Sequence, residues 1–257
     1  MRSPNGDADS DREYIAGLEK GLAVIEAAAE KQGPVTVSEA AAFANVSRAS
    51  ARRCLRTLEQ LGYAEHDGKY FRLAPRALRL GHAYLVSTPL VRIAQPLIEA
   101  ASGRTRRSVS VAVLDTNRVV IVARSYVQRS LSSGLGVGSW LPAYCSANGR
   151  ILLSGLPDAR AEAVLRSTAR SKLTPKTIVG IPEIMKEVRA SRTRGYATND
   201  EEVELGLWTI AVPLRDRSGG VVASLSMSCI GNAADRKHLM KAMPDLQGTA
   251  MRLSAML

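Results

Sequence analysis

Residues 47–61, SRASARRCLRTLEQL, decide the fold of the N-terminal part of the chain. Small and apolar residues recur there at helical spacing and form one face: Ala51, Cys54, Leu55, Leu58 and Leu61. Ser47 is a favourable N-cap and Gly62 ends the run, so the pattern predicts one helix over Ser47–Leu61. The opposite face is rich in arginine, which makes this helix a candidate for contact with a polyanion.

The residues before this helix predict two further helices. Apolar spacing indicates a helix over Glu13–Lys31, which Gly33-Pro34 stops. A short extended piece, Val35–Val37, follows, and Ser38 is the expected start of a second helix that continues to Ala44. The order of elements is therefore helix, helix, tight turn, helix.

A hairpin follows the arginine-bearing helix, because Asp67-Gly68 is a strong turn signal between Tyr63–His66 and Lys69–Leu73. Small residues beside arginine at a helix start let the helix enter a groove, where arginine reaches guanine edges or phosphates. The hairpin would act as a wing with its own cations on the DNA backbone. The candidate DNA contacts are Arg48, Ala49, Ser50, Arg52, Arg53, Arg56, Lys69 and Arg72. The alternative is a solvated arginine face on a structural three-helix unit.

Beyond residue 90 the pattern predicts an α+β domain with an antiparallel sheet. Ser108–Leu114 alternates and pairs naturally with Arg118–Ala123, while Trp208–Arg215 and Val221–Ser228 form a second pair near the end. Five helices are expected in this part, over Leu90–Ala101, near 146–153, at 159–166, at 182–194 and at 233–257. We predict a disordered tail over 1–12, a DNA-binding domain over 13–74, a helical linker over 75–90 and an effector-binding and oligomerisation domain over 91–257.

Composition excludes several classes of protein. The chain has 257 residues, 46% of them hydrophobic, a net charge of +11 and three cysteines. A disulfide scaffold and a CxxC zinc cluster are excluded, and no apolar run is long enough to span a membrane. The polar start resembles no secretory signal, so we expect a reducing cytoplasm. Gly134–Gly138 fits neither common nucleotide-binding motif, and the histidines lack metal-ligand spacing, so neither cofactor nor metal is expected.

Several long segments resemble the isocitrate-lyase-regulator (IclR-type) family of bacterial transcription factors, in the correct order. They are GLEKGLAVIE at 17–26, residues 36–62, YFRLAPRALRLG at 70–81, GSWLPAYCSANGRILL at 138–153 and GYATNDEEVELG at 195–206. The run LPAYCSANGRILLSGL further resembles the branch that regulates protocatechuate, 4-hydroxybenzoate and β-ketoadipate breakdown. The resemblance implies a winged helix-turn-helix joined to a GAF-like effector domain, a homodimer or homotetramer, and a double-stranded DNA operator that is often an inverted repeat.

The resemblance also implies an effector pocket for a small carboxylate or aromatic acid. Matching positions are Leu135, Ala147, Asn148, Asn199, Leu207, Thr209, Ser226 and Ser228. These residue types suit such a ligand, because helix amides bind carboxylate, hydroxyls orient it and leucines hold an apolar body. Ser226 and Ser228 are two apart and share one strand face. They are alternatively ordinary sheet hydroxyls.

Two other interpretations stay open. The acidic stretch Asn199–Glu204 suggests paired carboxylates or a metal, although a solvated acidic turn is the plainer interpretation. The whole chain is expected to be a ligand-responsive transcription regulator and not an enzyme, because no catalytic pair stands at suitable spacing. A small-molecule enzyme and a winged-helix adaptor that binds no DNA are the alternatives. Cys145 lies beside the expected pocket and is considered as a redox sensor.

Overall fold

Three short helices and a hairpin form the N-terminal part of the chain. The computed structural model describes residues 14–31, 33–126 and 135–257, so the predicted tail over 1–12 and Gly134 lie outside the described residues. The elements are α1 (Ala16–Glu30), α2 (Val37–Phe43), α3 (Arg48–Gln60), β1 (Ala64–His66) and β2 (Phe71–Leu73). This matches the predicted order of helices and wing.

The start of α2 differs from the prediction. Thr36, not Ser38, is the N-cap: the Thr36 hydroxyl accepts from the Glu39 amide at 3.3 Å, and the Glu39 carboxylate accepts from the Thr36 amide at 2.8 Å. This reciprocal capping box needs Glu three residues after the cap, a spacing that Thr36 meets and Ser38 does not. Val35 therefore stays extended and pairs with Phe71 of the wing.

The core of this part joins the helices to the wing. Val24 of α1, Ala51 and Leu55 of α3 and Phe71 of β2 are all buried in one cluster. Gly62 has φ +76°, a left-handed conformation that a side chain disfavours, and it turns the chain from α3 into β1. The sequence-predicted inward face of α3 is thus the packed one.

The chain forms two compact units, and the boundary between them falls in a helical segment, between Tyr84 and Leu85. A 3-10 turn over Pro75–Ala77 leads into α4 (Leu78–Ser87), and α5 (Pro89–Thr105) follows. The helix predicted to end at Ala101 continues one turn further, and Arg106 ends it with φ +52°.

A six-stranded antiparallel sheet in the order β5-β4-β3-β8-β7-β6 organises the second unit. Its strands are β3 (Ser108–Asp115), β4 (Arg118–Ser125), β5 (Trp140–Pro142), β6 (Ala197–Asp200), β7 (Leu207–Arg215) and β8 (Val221–Ile230). Its helices after α5 are α6 (Ala147–Ser154), α7 (Asp158–Arg166), α8 (Ile181–Arg194), α9 (Ala233–Lys241) and α10 (Met243–Ser254). The predicted α+β class with an antiparallel sheet is confirmed.

Two predictions about this unit need correction. The short strands β5 and β6 were not predicted, because three or four residues are too few to show alternation. The single last helix predicted over 233–257 is two helices, α9 and α10, which meet at Ala242. Pro244 explains the break, since proline lacks an amide hydrogen and is tolerated only in the first turn of a helix.

The central strands β3 and β8 each have one apolar face and one face rich in serine. Odd-numbered Val109, Val111, Leu225 and Met227 join the core with α5 and α10. Even-numbered residues of β3 and β8 are instead largely serine: Ser108, Ser110, Ser224, Ser226 and Ser228. This polar face lies under α6, so the sheet lies between two helical layers and its hydroxyls are largely shielded from solvent.

Among the described helices, none combines the length and the apolar composition that crossing a bilayer requires.

Candidate functional site

The outer face of α3 presents three arginines with no ion-pair partner among the described residues. Arg48, Arg52 and Arg53 are exposed, as is Ala49 between them. Because their guanidinium groups carry full charge and lie on one exposed helix surface, they can bind phosphates or base edges with no internal ion pair to break.

The other predicted DNA contacts have partners within the protein. Ser50 is half-buried and takes part in the cap of α3: its amide donates to the Ser47 hydroxyl at 3.2 Å, and its own hydroxyl accepts from that hydroxyl at 3.0 Å. Arg56 donates to Glu59 at 2.7 Å and lies 5.7 Å from the centre of the Phe71 ring. These contacts fix both side chains relative to the wing and to the start of α3.

The wing cations are exposed but oriented by neighbours. Lys69 lies 5.0 Å from the centre of the Tyr70 ring, and Arg72 lies 3.6 Å from Asp67. The amides of Tyr70 and Lys69 lower the pKa of Asp67, so this turn keeps its negative charge at neutral pH. The net cationic surface of the wing is therefore smaller than its basic residues alone indicate.

A cavity between α6 and the polar face of the sheet brings together all eight residues that the resemblance implies for the effector. Leu135, Ala147, Asn148, Asn199, Leu207, Thr209, Ser226 and Ser228 all line it. Six further lining residues were not predicted: Ser110, Ile121, Arg124, Leu141, Ser146 and Val203. The alternation of β3 could have revealed Ser110, whereas the inward placement of Arg124 and Val203 has no local signal.

Strand register explains why distant residues meet in this cavity. Asn199 of β6 is paired with Thr209 of β7, and Thr209 is paired with Ser228 of β8. Two residues before Ser228 on β8, Ser226 is opposite Ser110 of β3. Side chains opposite each other in a sheet lie on the same face, so the register itself assembles a polar floor.

The start of α6 forms the wall opposite this floor. Ser146 is the N-cap, since its hydroxyl accepts from the Gly149 amide at 3.1 Å and donates to the Pro142 carbonyl at 2.8 Å. A Cβ atom at Gly149 would lie 2.1 Å from the Ala143 carbonyl oxygen, so only glycine allows this close packing. The Asn148 side-chain oxygen Oδ1 accepts from the Ser224 hydroxyl at 3.0 Å, which ties the helix to the sheet.

Asn199 keeps an unused acceptor in this cavity. Its amide nitrogen donates to the Cys145 carbonyl, which fixes the orientation of the side chain because a carbonyl can only accept. The remaining oxygen, Oδ1, is buried and accepts no hydrogen bond from any described residue. A buried acceptor without a partner is uncommon in proteins and is a feature that a bound ligand can satisfy.

The acidic stretch after Asn199 is only in part the solvated turn that the plainer interpretation predicted: residues 201–206 are a turn, but of the acidic residues only Glu204 is exposed. Residues 197–200 are strand β6, and Glu202 is buried against Arg150 of α6, with N–O distances of 2.6 and 2.8 Å. Lys176 binds Asp200 at 3.1 Å and Glu201 at 2.8 Å. These carboxylates are therefore held by cations, and among the described residues no cluster suited to a metal ion is present.

Cys145 is buried directly before α6. Burial raises the pKa of its thiol to about 12 because the thiolate is poorly solvated there. At neutral pH the group is a protonated, inaccessible thiol, which is the opposite of a reactive cysteine.

Comparisons with known proteins agree with both halves of this architecture. Residues 17–68 match the IclR helix-turn-helix domain, and residues 82–255 match the C-terminal domain of bacterial transcriptional regulators of the IclR type. The Pca regulon regulatory protein of Pseudomonas putida is 38% identical over 89% of this chain and 79% of its own length. The p-hydroxybenzoate hydroxylase transcriptional activator of Acinetobacter baylyi is 36% identical over 94% of this chain and 91% of its own length.

A solved structure extends the likeness to the second unit. It is the inducer-binding domain of an Acinetobacter PobR transcription factor, a double mutant in complex with 3-hydroxybenzoic acid. It has 30% sequence identity and a TM-score of 0.61, and the match covers 65% of this chain and 98% of that one. The two domain matches and these relatives show that the chain belongs to the IclR family of bacterial transcriptional regulators.

Proposed function

We propose that this regulator responds to a small aromatic carboxylate bound in the cavity between α6 and the sheet. The observation that carries the proposal is the convergence of eight residues from a loop, a helix and three strands on one cavity. Hydroxyls of Thr209, Ser226 and Ser228 would orient polar groups of the ligand, while Leu135 and Leu207 would contact its ring. Relatives named for hydroxybenzoate and Pca regulation support this ligand class.

The DNA-binding surface is proposed to be the outer face of α3 together with the wing. Arg48, Arg52 and Arg53 would supply the main contacts in the major groove, since no described carboxylate competes for them. The wing would contact the backbone through Lys69 and Arg72. An operator with inverted repeats would then be read by two copies of α3.

Self-association is proposed to use apolar residues at and just before the start of α1. Tyr14, Ile15, Leu18 and Leu22 are all about half or more exposed, although they follow helical spacing. An exposed apolar stripe of this kind is typical of a surface that a second chain covers. We therefore propose a homodimer, with a homotetramer as a further step, acting in the cytoplasm where its operator is.

Regulation would follow from a shift between two conformations. A ligand that binds one conformation better stabilises it by its difference in affinity, and paired α3 helices with a changed spacing would fit the operator differently. An enzyme built on the same domain is the alternative. It is less well supported because none of the carboxylates of the 199–204 stretch faces the cavity as a free acid or base, and Cys145 is protonated.

The test is fluorescence anisotropy with a labelled duplex from upstream of the protein's own gene. Titrations at two salt concentrations, with and without a panel of aromatic acids, measure operator affinity and its response to ligand. Sequence-dependent binding that one acid shifts supports the proposal. Binding equal to that of a random duplex, unchanged by every acid, contradicts it and favours the enzyme or adaptor alternatives.

A further inference from the structure

Arg124, near the end of β4, is a buried cation with no counter-ion among the described residues. The residue is 7% exposed and lines the cavity, and its Nε atom has no described hydrogen-bond acceptor. Its one described interaction is with the ring of Tyr126, whose centre lies 5.0 Å from the guanidinium carbon. Burial also lowers the pKa of Arg124, the direction expected for a cation that lacks a neighbouring anion.

An unpaired buried charge lowers the stability of the folded protein when no ligand is bound. A buried charge normally has a partner, because taking it out of water costs free energy that only an opposite charge or strong hydrogen bonds recover. Arg150 on α6 illustrates the normal case, since it is paired with Glu202 at 2.6 Å. Arg124 has no such partner among the described residues, and an anion supplied by a ligand would complete the site.

The register places Arg124 and the unused acceptor of Asn199 at opposite sides of the cavity. Arg124 of β4 is paired with Ser110 of β3, which is opposite Ser226 of β8. Asn199 lies on β6, and three strands separate β6 from β4 in the sheet. Four steps of about 4.8 Å put the two backbones about 19 Å apart. One functional group of a ligand therefore cannot contact both side chains, whereas two groups at opposite ends of a ligand can.

We propose that Arg124 binds the carboxylate of the effector and that Asn199 Oδ1 accepts a hydrogen bond from a hydroxyl at its other end. The ligand class is then a flat, rigid carboxylic acid with a hydrogen-bond donor opposite the acid group. This assignment rests on the proposed function, and it fixes the orientation of the effector, with its carboxylate toward β4 and its hydroxyl toward β6. The competing orientation places the carboxylate at the amides of Ala147 and Asn148, at the start of α6.

The experiment measures binding of three probes to the full-length protein by calorimetry. The probes are 4-hydroxybenzoate, its neutral amide 4-hydroxybenzamide, and benzoate, which lacks the hydroxyl. The variants are Arg124→Gln, Asn199→Leu and the control Arg160→Gln, which removes an exposed arginine on α7. Melting temperature is recorded for each variant, because a structural role and a ligand role predict opposite changes for Arg124→Gln.

For wild type we expect 4-hydroxybenzoate to bind at least about 30-fold more tightly than either other probe, as expected when a buried polar partner is lost. Arg124→Gln should lose that preference over the amide while its melting temperature stays equal or rises, because an unpaired buried charge has been removed. Asn199→Leu should lose the preference over benzoate and keep its affinity for benzoate within about threefold. The control variant should behave as wild type.

Different results overturn different statements. If Arg124→Gln binds 4-hydroxybenzoate within about threefold of wild type, the carboxylate is held elsewhere and the assignment of Arg124 is wrong. If Arg124→Gln melts at a clearly lower temperature, the residue has a structural role and the argument from a missing anion fails. If wild type binds none of the probes and no other acid of the panel, the aromatic-acid effector itself is wrong.

Discussion

Arg150 and Glu202, 52 residues apart, form a buried ion pair that fastens the β6–β7 loop to helix α6. Their side chains are 3% and 6% exposed, and Arg150 also donates to the Thr198 carbonyl at 2.9 Å. Val203, next to Glu202, and Leu207, at the end of the same loop, both line the cavity. The pair therefore holds two sides of the cavity at a fixed separation.

Removing the charge of Glu202 should destabilise the protein. Glu202→Gln leaves Arg150 buried without an anion, and breaking such a pair costs about 3–5 kcal/mol. Urea denaturation of the variant measures this free energy of unfolding. The matched control is Glu162→Gln, which breaks surface pairs with Arg166 at 3.4 Å and Arg189 at 4.0 Å and should cost less than about 1 kcal/mol. Equal effects of the two substitutions would show that burial of the Arg150–Glu202 pair is not important for stability.

The double variant Arg52→Ala with Arg53→Ala should weaken operator binding and flatten its dependence on salt. Several phosphate contacts per dimer predict a slope of log affinity on log salt of roughly −4 to −8 for wild type. Anisotropy over a range of salt concentrations gives the slope for both proteins. An unchanged affinity and slope would mean that the outer face of α3 is not the DNA-binding surface.

Ser226→Ala or Ser228→Ala should weaken the response to ligand by about 1–3 kcal/mol, because a buried polar group of the ligand loses a hydrogen bond. Operator binding without ligand should not change. The measurement is the ligand concentration that half-shifts the anisotropy signal, with Ser167→Ala, an exposed serine after α7, as the control. If both cavity variants respond as wild type does, these hydroxyls are ordinary parts of the sheet.

Cys145 should resist alkylation in the folded protein. Only the thiolate reacts, and a thiol whose pKa is raised to about 12 stays protonated at pH 8. Mass spectrometry after iodoacetamide treatment should find Cys145 unmodified in buffer and modified in urea. Rapid alkylation in buffer would restore the redox-sensor interpretation.

The raised pKa of the Cys145 thiol also predicts how the stability of the protein depends on pH. The contribution of this thiol to the free energy of unfolding is complete below about pH 9 and is lost as the pH rises toward 12, because the native state holds the proton more tightly.

Some of this structure depends only on short-range patterns and was therefore predictable from the sequence. The helix α3 with its Ser47 cap, the turn at Asp67-Gly68 and the shared face of Ser226 and Ser228 all follow from periods of 3.6 or 2 residues and from local turn chemistry. The eight cavity residues came from resemblance, not from such patterns. The start of α2 was mispredicted although its signal, Thr36 with Glu39, is also local.

Tertiary structure alone decided which charges are paired. In the sequence, Arg124 ends an apolar strand and Glu202 stands in an acidic run, so each looks solvent-exposed. The fold buries both, but it gives Glu202 a cation from α6 and gives Arg124 no described anion. A charge's environment depends on groups that the sheet register and helix packing bring from far along the chain, and residue spacing carries no record of those contacts.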